Sequence, residues 1–130
     1  STLDGSTDGT AGGVVAALTA QGMDGIPVSG QDGDHAALNR VASGTQTVSV
    51  WKDARDLGKA AAEIAVQLAN GTTLSEVDSR TIWTSPAGTR MHARFLTPVP
   101  VTQDNLSAVV DAKWITKEAL CAGATIAYCQ

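Results

Sequence analysis

The stretch TQTVSVWK (Thr45–Lys52), running without a break into DARDLGKAAAEIAVQLAN (Asp53–Asn70), decides the fold. Its first half is β-branched and alternating. Val48 and Val50 fall on one side and Thr47, Ser49 and Trp51 on the other, the pattern of a strand. In its second half Leu57, Ala60, Ala61, Ile64, Ala65 and Leu68 recur at helical spacing, giving one apolar stripe, and Gly71 stands just past the end. A strand feeding an amphipathic helix through almost no loop is half of a βαβ unit.

Working outward, the same alternation holds on the N-terminal side. Thr10 to Ala20 reads as an Ala/Val-rich helix, entered through the capping sequence Asp8-Gly9-Thr10 and stopped by Gly22. Gly25 to Ser29 is a short apolar run read as a buried strand, ended by the polar turn Gly30-Gln31-Asp32-Gly33-Asp34. A second helix places Leu38, Val41 and Ala42 on one face and closes at Gly44. Strands alternating with helices through short connections mean an α/β fold with a parallel sheet. After Gly71 the pattern changes. Ser79–Thr84 and Thr89–Leu96 flank Ser85-Pro86-Ala87-Gly88 and read as a β-hairpin. Thr97 to Val101 is extended, because each Pro biases its predecessor away from helix. Thr102 then caps a helix through Val110, and Thr116 caps another leading to Cys121.

Composition removes several classes of function. With a net charge of −4 and nine scattered basic residues, the chain has no basic patch for nucleic acid. No apolar run approaches the roughly 20 residues of a membrane helix. Ala, Val and Gly dominate the apolar content, with one Phe, one Tyr and three Trp, which suits helices packed closely on a sheet. No signal peptide is present, and a chain starting at Ser1 reads as processed or trimmed. Cys121 and Cys129 are too far apart for a CxxC site. A local disulfide is the preferred reading, and with it an oxidising compartment; two free buried thiols are the other.

Enzyme and metal motifs fail one by one. Asp8-Gly9-Thr10-Ala11-Gly12-Gly13 looks like a phosphate-cradling loop but lacks the Lys-Ser/Thr of a P-loop and the spacing of GxGxxG. Asp4, Ser6, Asp8 and Gly9 open like a calcium loop, yet Val15 stands where the bidentate Glu belongs. His35 and His92 have no second ligand nearby in sequence. There is no GxSxG, and Cys121 lacks a basic neighbour to make a thiolate. No cofactor is expected. What remains is position: Asp8, Asp32 and Lys52 each follow a strand or leading segment, and open parallel sheets bind ligands outside the carboxyl ends of their strands. A fixed carboxylate accepts from two hydroxyls while an ammonium donates, which is how adjacent sugar hydroxyls are read. Charged strand ends are also common as simple solvated termini.

The same residues carry a resemblance. Residues 8–13, 30–34 and 44–52, and later Thr97 to Asn105, occur in the order and at about the spacing seen in the xylose-binding branch of the type I periplasmic binding proteins that serve ABC importers. The resemblance covers most of residues 5–120. It implies a Rossmann-like parallel-sheet fold of two lobes joined by three hinge strands, of which this chain holds a C-terminal part. Residues 1–52 would belong to the C-terminal lobe, 53–96 would cross the hinge into elements of the N-terminal lobe, and 97–130 would return and form the tail. By resemblance Asp32 and Lys52 match sugar-contacting positions, with Thr7 or Asp8 completing that side of the cleft. Thr7 stands where the family usually has a sugar-contacting Asn, and Leu3-Asp4-Gly5-Ser6 lacks the family's apolar strand. The side-chain alternation sets Trp51 opposite Lys52, so Trp51 packs inside or beside the hinge and is the lesser candidate for sugar stacking.

The implied partners are a monosaccharide, the membrane subunits of an importer, and the N-terminal lobe or a complementary fragment. The implied place is the periplasm or cell exterior, with a lipid anchor through preceding sequence as one form. The alternative is the sensor domain of a sugar-responsive transcription regulator of the same fold. A sugar-processing enzyme of similar α/β order comes third, without an acid/base pair to support it.

Overall fold

A computed structural model describes residues 2–77 and 81–130. The chain divides into two compact units, one of Ser1–Lys52 with Pro98–Gln130 and the other of Asp53–Thr97. Each is described by itself.

The first unit is built on a four-stranded sheet of β1 (Leu3–Asp4), β2 (Val28–Asp32), β3 (Val48–Trp51) and, later in the chain, Val99–Val101 at the far edge. The first three run parallel and the last is antiparallel to β3. β1 is a correction to the sequence reading. Two residues suffice for a strand because Leu3 N–H donates to Pro27 O and Gly5 N–H to Ser29 O, backbone bonds that need no apolar side chain. A second correction concerns β2. Its turn begins only after Asp32, since Gly30, Gln31 and Asp32 pair in register with Ser49, Val50 and Trp51. Polar composition suggested a loop, but the ladder with β3 is made by backbone groups and does not require apolar side chains.

Two helices cross over between the parallel strands, α1 (Asp8–Ala20) and α2 (His35–Ser43). The cap of α1 is Thr7, not the Asp8–Thr10 segment. Thr7 Oγ1 accepts from Thr10 N–H while Thr10 Oγ1 accepts from Thr7 N–H, a reciprocal capping box. α2 ends at Gly44, whose φ of 81° is a left-handed cap that a side chain would strain.

The second unit holds the long helix α3 (Ala54–Ala69), capped by Asp53, and the hairpin β4 (Thr81–Thr84) and β5 (Arg90–Ala93). Ser79 and Arg80, read from sequence as the start of the hairpin, lie outside the described residues. Of the six-residue stripe on α3 only Ala60 is buried; Leu57 and Leu68 are exposed.

The chain then returns as β6 (Val99–Val101) to the first unit. A 3-10 turn (Gln103–Asn105) capped by Thr102 leads into α4 (Ser107–Asp111), and Thr116 caps α5 (Lys117–Leu120). These elements close the core: Leu38, Val41 and Ala42 of α2 meet Trp51, Val101, Leu106, Val109, Ile115 and Leu120. Cys121 and Cys129 are disulfide-bonded, holding the tail against that core.

Candidate functional site at the carboxyl edge of the sheet

Asp32 is the last residue of β2 and Lys52 follows the last of β3, so parallel pairing alone brings them side by side. Lys52 Nζ lies 2.8 Å from Asp32 Oδ1, with side chains 50% and 42% exposed. Lys52 also donates to Gln31 Oε1 at 3.2 Å, and Gln31 Nε2 donates to Ser6 O. An exposed ion pair contributes little to stability, about 0–1 kcal/mol. Its interest is chemical: a carboxylate and an ammonium that satisfy each other can both turn to a ligand's hydroxyls.

The backbone that presents Asp32 is unusual. Its φ is 110°, and that of the following Gly33 is 78°. A residue with a side chain in such a region costs roughly 1–3 kcal/mol and persists only where the surroundings enforce it. Gly33 is required twice over, because a Cβ there would also stand 2.4 Å from Trp51 Cδ1.

Asp8 departs from the sequence expectation that it lines the cleft. It is 1% exposed. Its Oδ2 accepts from Gly33 N–H at 2.9 Å, Asp34 N–H at 2.9 Å and the Ser49 hydroxyl at 2.7 Å. Its Oδ1 accepts from Gln46 Nε2 at 2.9 Å. Four protein donors occupy the carboxylate, and its place in the first turn of α1 sets the negative charge at the favourable end of the helix dipole. Arg40 braces the arrangement, donating through Nε to Gln46 Oε1 at 3.0 Å and through Nη2 to Asp8 O at 2.9 Å. Asp8 therefore sits one layer beneath the edge that Asp32 and Lys52 occupy.

Thr7 is exposed, with its hydroxyl 2.8 Å from that of Thr10. Trp51 is 7% exposed and packs on Trp114 with ring centroids 5.7 Å apart, inside the core as the alternation of β3 implied. Its indole Nε1 is buried without a hydrogen-bond partner. Trp114 Nε1 donates to Gly33 O at 2.7 Å. His35 Nε2 is 2.8 Å from Trp114 O, and His92 lies on exposed β5. Among the described residues no cluster of three or more His, Cys, Asp or Glu is placed to hold a metal ion.

The structure sets Asp32 and Lys52, expected from sequence at one sheet edge, side by side. Sequence reasoning gave no role to Gln46 or Ser49 and read Trp114 as a packing anchor without its bond to Gly33. Ser49 had a visible signal, a hydroxyl on the strand face that also carries Trp51. Gln46 had none, and Trp114 meets Gly33 across 81 residues of chain.

A mostly parallel α/β sheet with a charged, half-exposed pair at the carboxyl ends of neighbouring strands is a Rossmann-like arrangement, of the kind in which ligands bind at that edge. The chain belongs to the periplasmic binding protein domain family, which it matches over residues 5–73. It is 41% identical over 115 residues to the D-xylose-binding periplasmic protein of Escherichia coli K12, an alignment covering 87% of this chain and 33% of that protein. It is 52% identical over 64 residues to the D-xylose-binding periplasmic protein of Haemophilus influenzae Rd, covering 48% and 19%. Among solved structures, a carbohydrate transporter solute-binding protein from Chloroflexus aurantiacus in complex with D-glucose superposes with a TM-score of 0.79 at 26% identity, over 89% of this chain and 34% of that one. An ABC transporter solute-binding protein from Clostridium phytofermentans with bound β-D-glucose gives 0.69 at 26% identity, over 88% and 35%. The fold is the type I periplasmic binding protein fold. The chain spans a third or less of the length of these curated relatives.

Proposed function

We propose that this chain is part of a solute receptor that binds a monosaccharide, D-xylose or a similar aldose, and delivers it to an ABC importer without chemical change. The observation that carries this reading is the Asp32–Lys52 pair at the carboxyl edge of the sheet. It is supported by the 41% identity to a xylose-binding protein over most of the chain. In this reading Asp32 accepts from sugar hydroxyls, Lys52 donates to one, and Thr7 borders the same side. Residues 1–52 form part of the C-terminal lobe, 53–96 cross the hinge to elements of the N-terminal lobe, and 97–130 return; the remainder of the sugar contacts come from the other lobe. The Cys121–Cys129 bond supports a periplasmic or extracellular place over a cytosolic regulator's sensor domain, because cytosolic proteins rarely keep a disulfide.

The test is calorimetric titration of the intact receptor with D-xylose. Asp32→Ala leaves a bound sugar hydroxyl and Lys52 short of a partner and is expected to weaken binding about a hundredfold, and Lys52→Met nearly as much. Both variants keep the parent's melting temperature within a few degrees, since neither side chain belongs to the core. Parent-like affinity in Asp32→Ala would place the cleft elsewhere.

A further inference from the structure

The backbone that follows Asp32 is held from beneath at three hydrogen-bonding groups, the Gly33 N–H, the Asp34 N–H and the Gly33 carbonyl. The peptide joining Asp32 to Gly33 is fixed by its N–H, which donates to Asp8 Oδ2 at 2.9 Å and to Ser49 Oγ at 3.2 Å. The peptide joining Gly33 to Asp34 is fixed at both ends, its N–H by Asp8 Oδ2 at 2.9 Å and its carbonyl by Trp114 Nε1 at 2.7 Å. One carboxylate oxygen thus ties two successive peptides, and an indole from the far end of the chain holds the second from the other side. The acceptors Asp8 and Ser49 are 1% and 0% exposed, and both bonds from the Gly33 N–H are buried, where hydrogen bonds are stronger than in water. What it encloses is the one turn whose preceding residue keeps a side chain at φ 110°.

We infer that Asp8 is a positioning residue for sugar recognition: its buried carboxylate, with the Trp114 indole, locks the turn after β2 and holds the Asp32 carboxylate at the sheet edge before sugar arrives. This rests on the reading of Asp32 as a sugar contact. Asp8 touches no ligand; it acts through Asp32. Preorganisation of this kind is worth affinity because a freely turning carboxylate would have to be ordered on binding. The clamp reaches Asp32 through backbone peptides, so a substitution that keeps the size of Asp8 and removes its charge should misplace Asp32 while leaving the sheet intact.

A double-mutant cycle tests it, using the intact receptor, calorimetry, and D-xylose with D-glucose as a second probe. Asp8→Asn is expected to weaken binding at least about tenfold in the parent and less than about twofold in an Asp32→Asn background, the non-additivity of residues that act as one. Equal losses in the two backgrounds, or no loss in the parent, overturn the proposal. Where Asp8→Asn does not fold, Trp114→Phe keeps an aromatic ring, removes the indole N–H and is held to the same pattern. A sugar-free readout separates positioning from general stability: the HN–Hα coupling of Asp32, which reports its φ, and the Gly33 amide proton shift both move in Asp8→Asn. If both stay at parent values, the clamp is overturned. Asp32→Asn binding both sugars as tightly as the parent overturns the proposed site itself; an Asp32 effect without coupling to Asp8 overturns only the clamp.

Discussion

Gly30 lies where the buried hydrogen bond between Asp8 and Gln46 passes over β2. A Cβ at this position would stand 2.4 Å from Asp8 Oδ1 and 2.7 Å from Gln46 Nε2, and 3.1 Å from the Ala11 methyl. Gly30→Ala therefore cannot be absorbed by one rotamer change without breaking that hydrogen bond. A loss of about 1–3 kcal/mol is expected from overpacking, measured as a lowered urea midpoint with an unchanged m-value; a midpoint equal to the parent's would mean the network shifts freely. Thr7 makes the opposite case. Asn caps a helix at least as well as Thr, so Thr7→Asn should leave α1 intact. It exchanges a hydroxyl for an amide at the N-terminus of α1, and tighter D-xylose binding by calorimetry is expected if, as proposed, Thr7 borders the cleft. At this scale the adjacency of Asp32 and Lys52 was expected because each follows an apolar run read as a strand, although β2 runs on to Asp32 itself. The burial of Asp8 was not legible, because an Asp opening a helix reads the same whether it faces solvent or four donors from Gln46, β3 and the turn after β2.

Among the elements, α3 begins on a local charge pair. Asp53 caps the helix by accepting from Arg55 N–H at 2.9 Å, and the Arg55 side chain closes on the same carboxylate, Nε to Oδ1 at 2.9 Å. The Arg55 side-chain hydrogen bond, foremost, holds the Asp53 carboxyl below its ordinary value of 3.8. A carboxylate whose folded pKa is depressed contributes stability above its unfolded pKa, and that contribution is lost as pH falls through the folded value. The first turn of α3 should therefore fray only below the ordinary carboxylate range. The Asp53 carboxyl-carbon titration followed by NMR checks this, and Arg55→Met should move its midpoint up toward 3.8. An unmoved midpoint would remove Arg55 as the cause. At the other end of the chain, the Cys121–Cys129 bond closes a loop whose residues Ala124, Ile126 and Tyr128 pack on the core. Short-loop closure is worth about 2–3 kcal/mol. Cys121→Ser with Cys129→Ser should lower the unfolding free energy measured in urea by that much without altering α1 or the sheet. Helix identities were readable here because periodicity survives without tertiary context. The end of β2 was not, because Gly30, Gln31 and Asp32 owe their extended form to β3 beside them.

On the scale of the whole molecule, much apolar surface is exposed among the described residues. In the unit of Asp53–Thr97 the buried apolar residues among those described are Ala60 and Val77, while Leu57, Val66, Leu74, Ile82, Trp83, Met91 and Phe95 are 41–65% exposed. A helix and a two-stranded hairpin with so small a core are marginal, since isolated hairpins need a third strand or a packed helix for stability. α1 repeats the pattern in the other unit. Val14, Val15, Ala16, Ala17 and Leu18 run round the helix, yet Ala11 is its one buried apolar residue. A helix apolar on every side belongs inside a larger body. The two-lobed arrangement proposed above would supply the cover, in keeping with relatives of which this chain matches a third or less. Expressed by itself, the 130-residue chain is expected to associate in a concentration-dependent way by sedimentation. Its α3 and β4–β5 amides should exchange with solvent far faster than those of α2, whose Leu38, Val41 and Ala42 are fully buried. In the intact receptor the same α3 amides should become as slow as those of α2. A monodisperse monomer of the isolated chain with α3 already protected would mean that these apolar faces find their partners within the 130 residues, and the proposed second lobe would have no part in covering them.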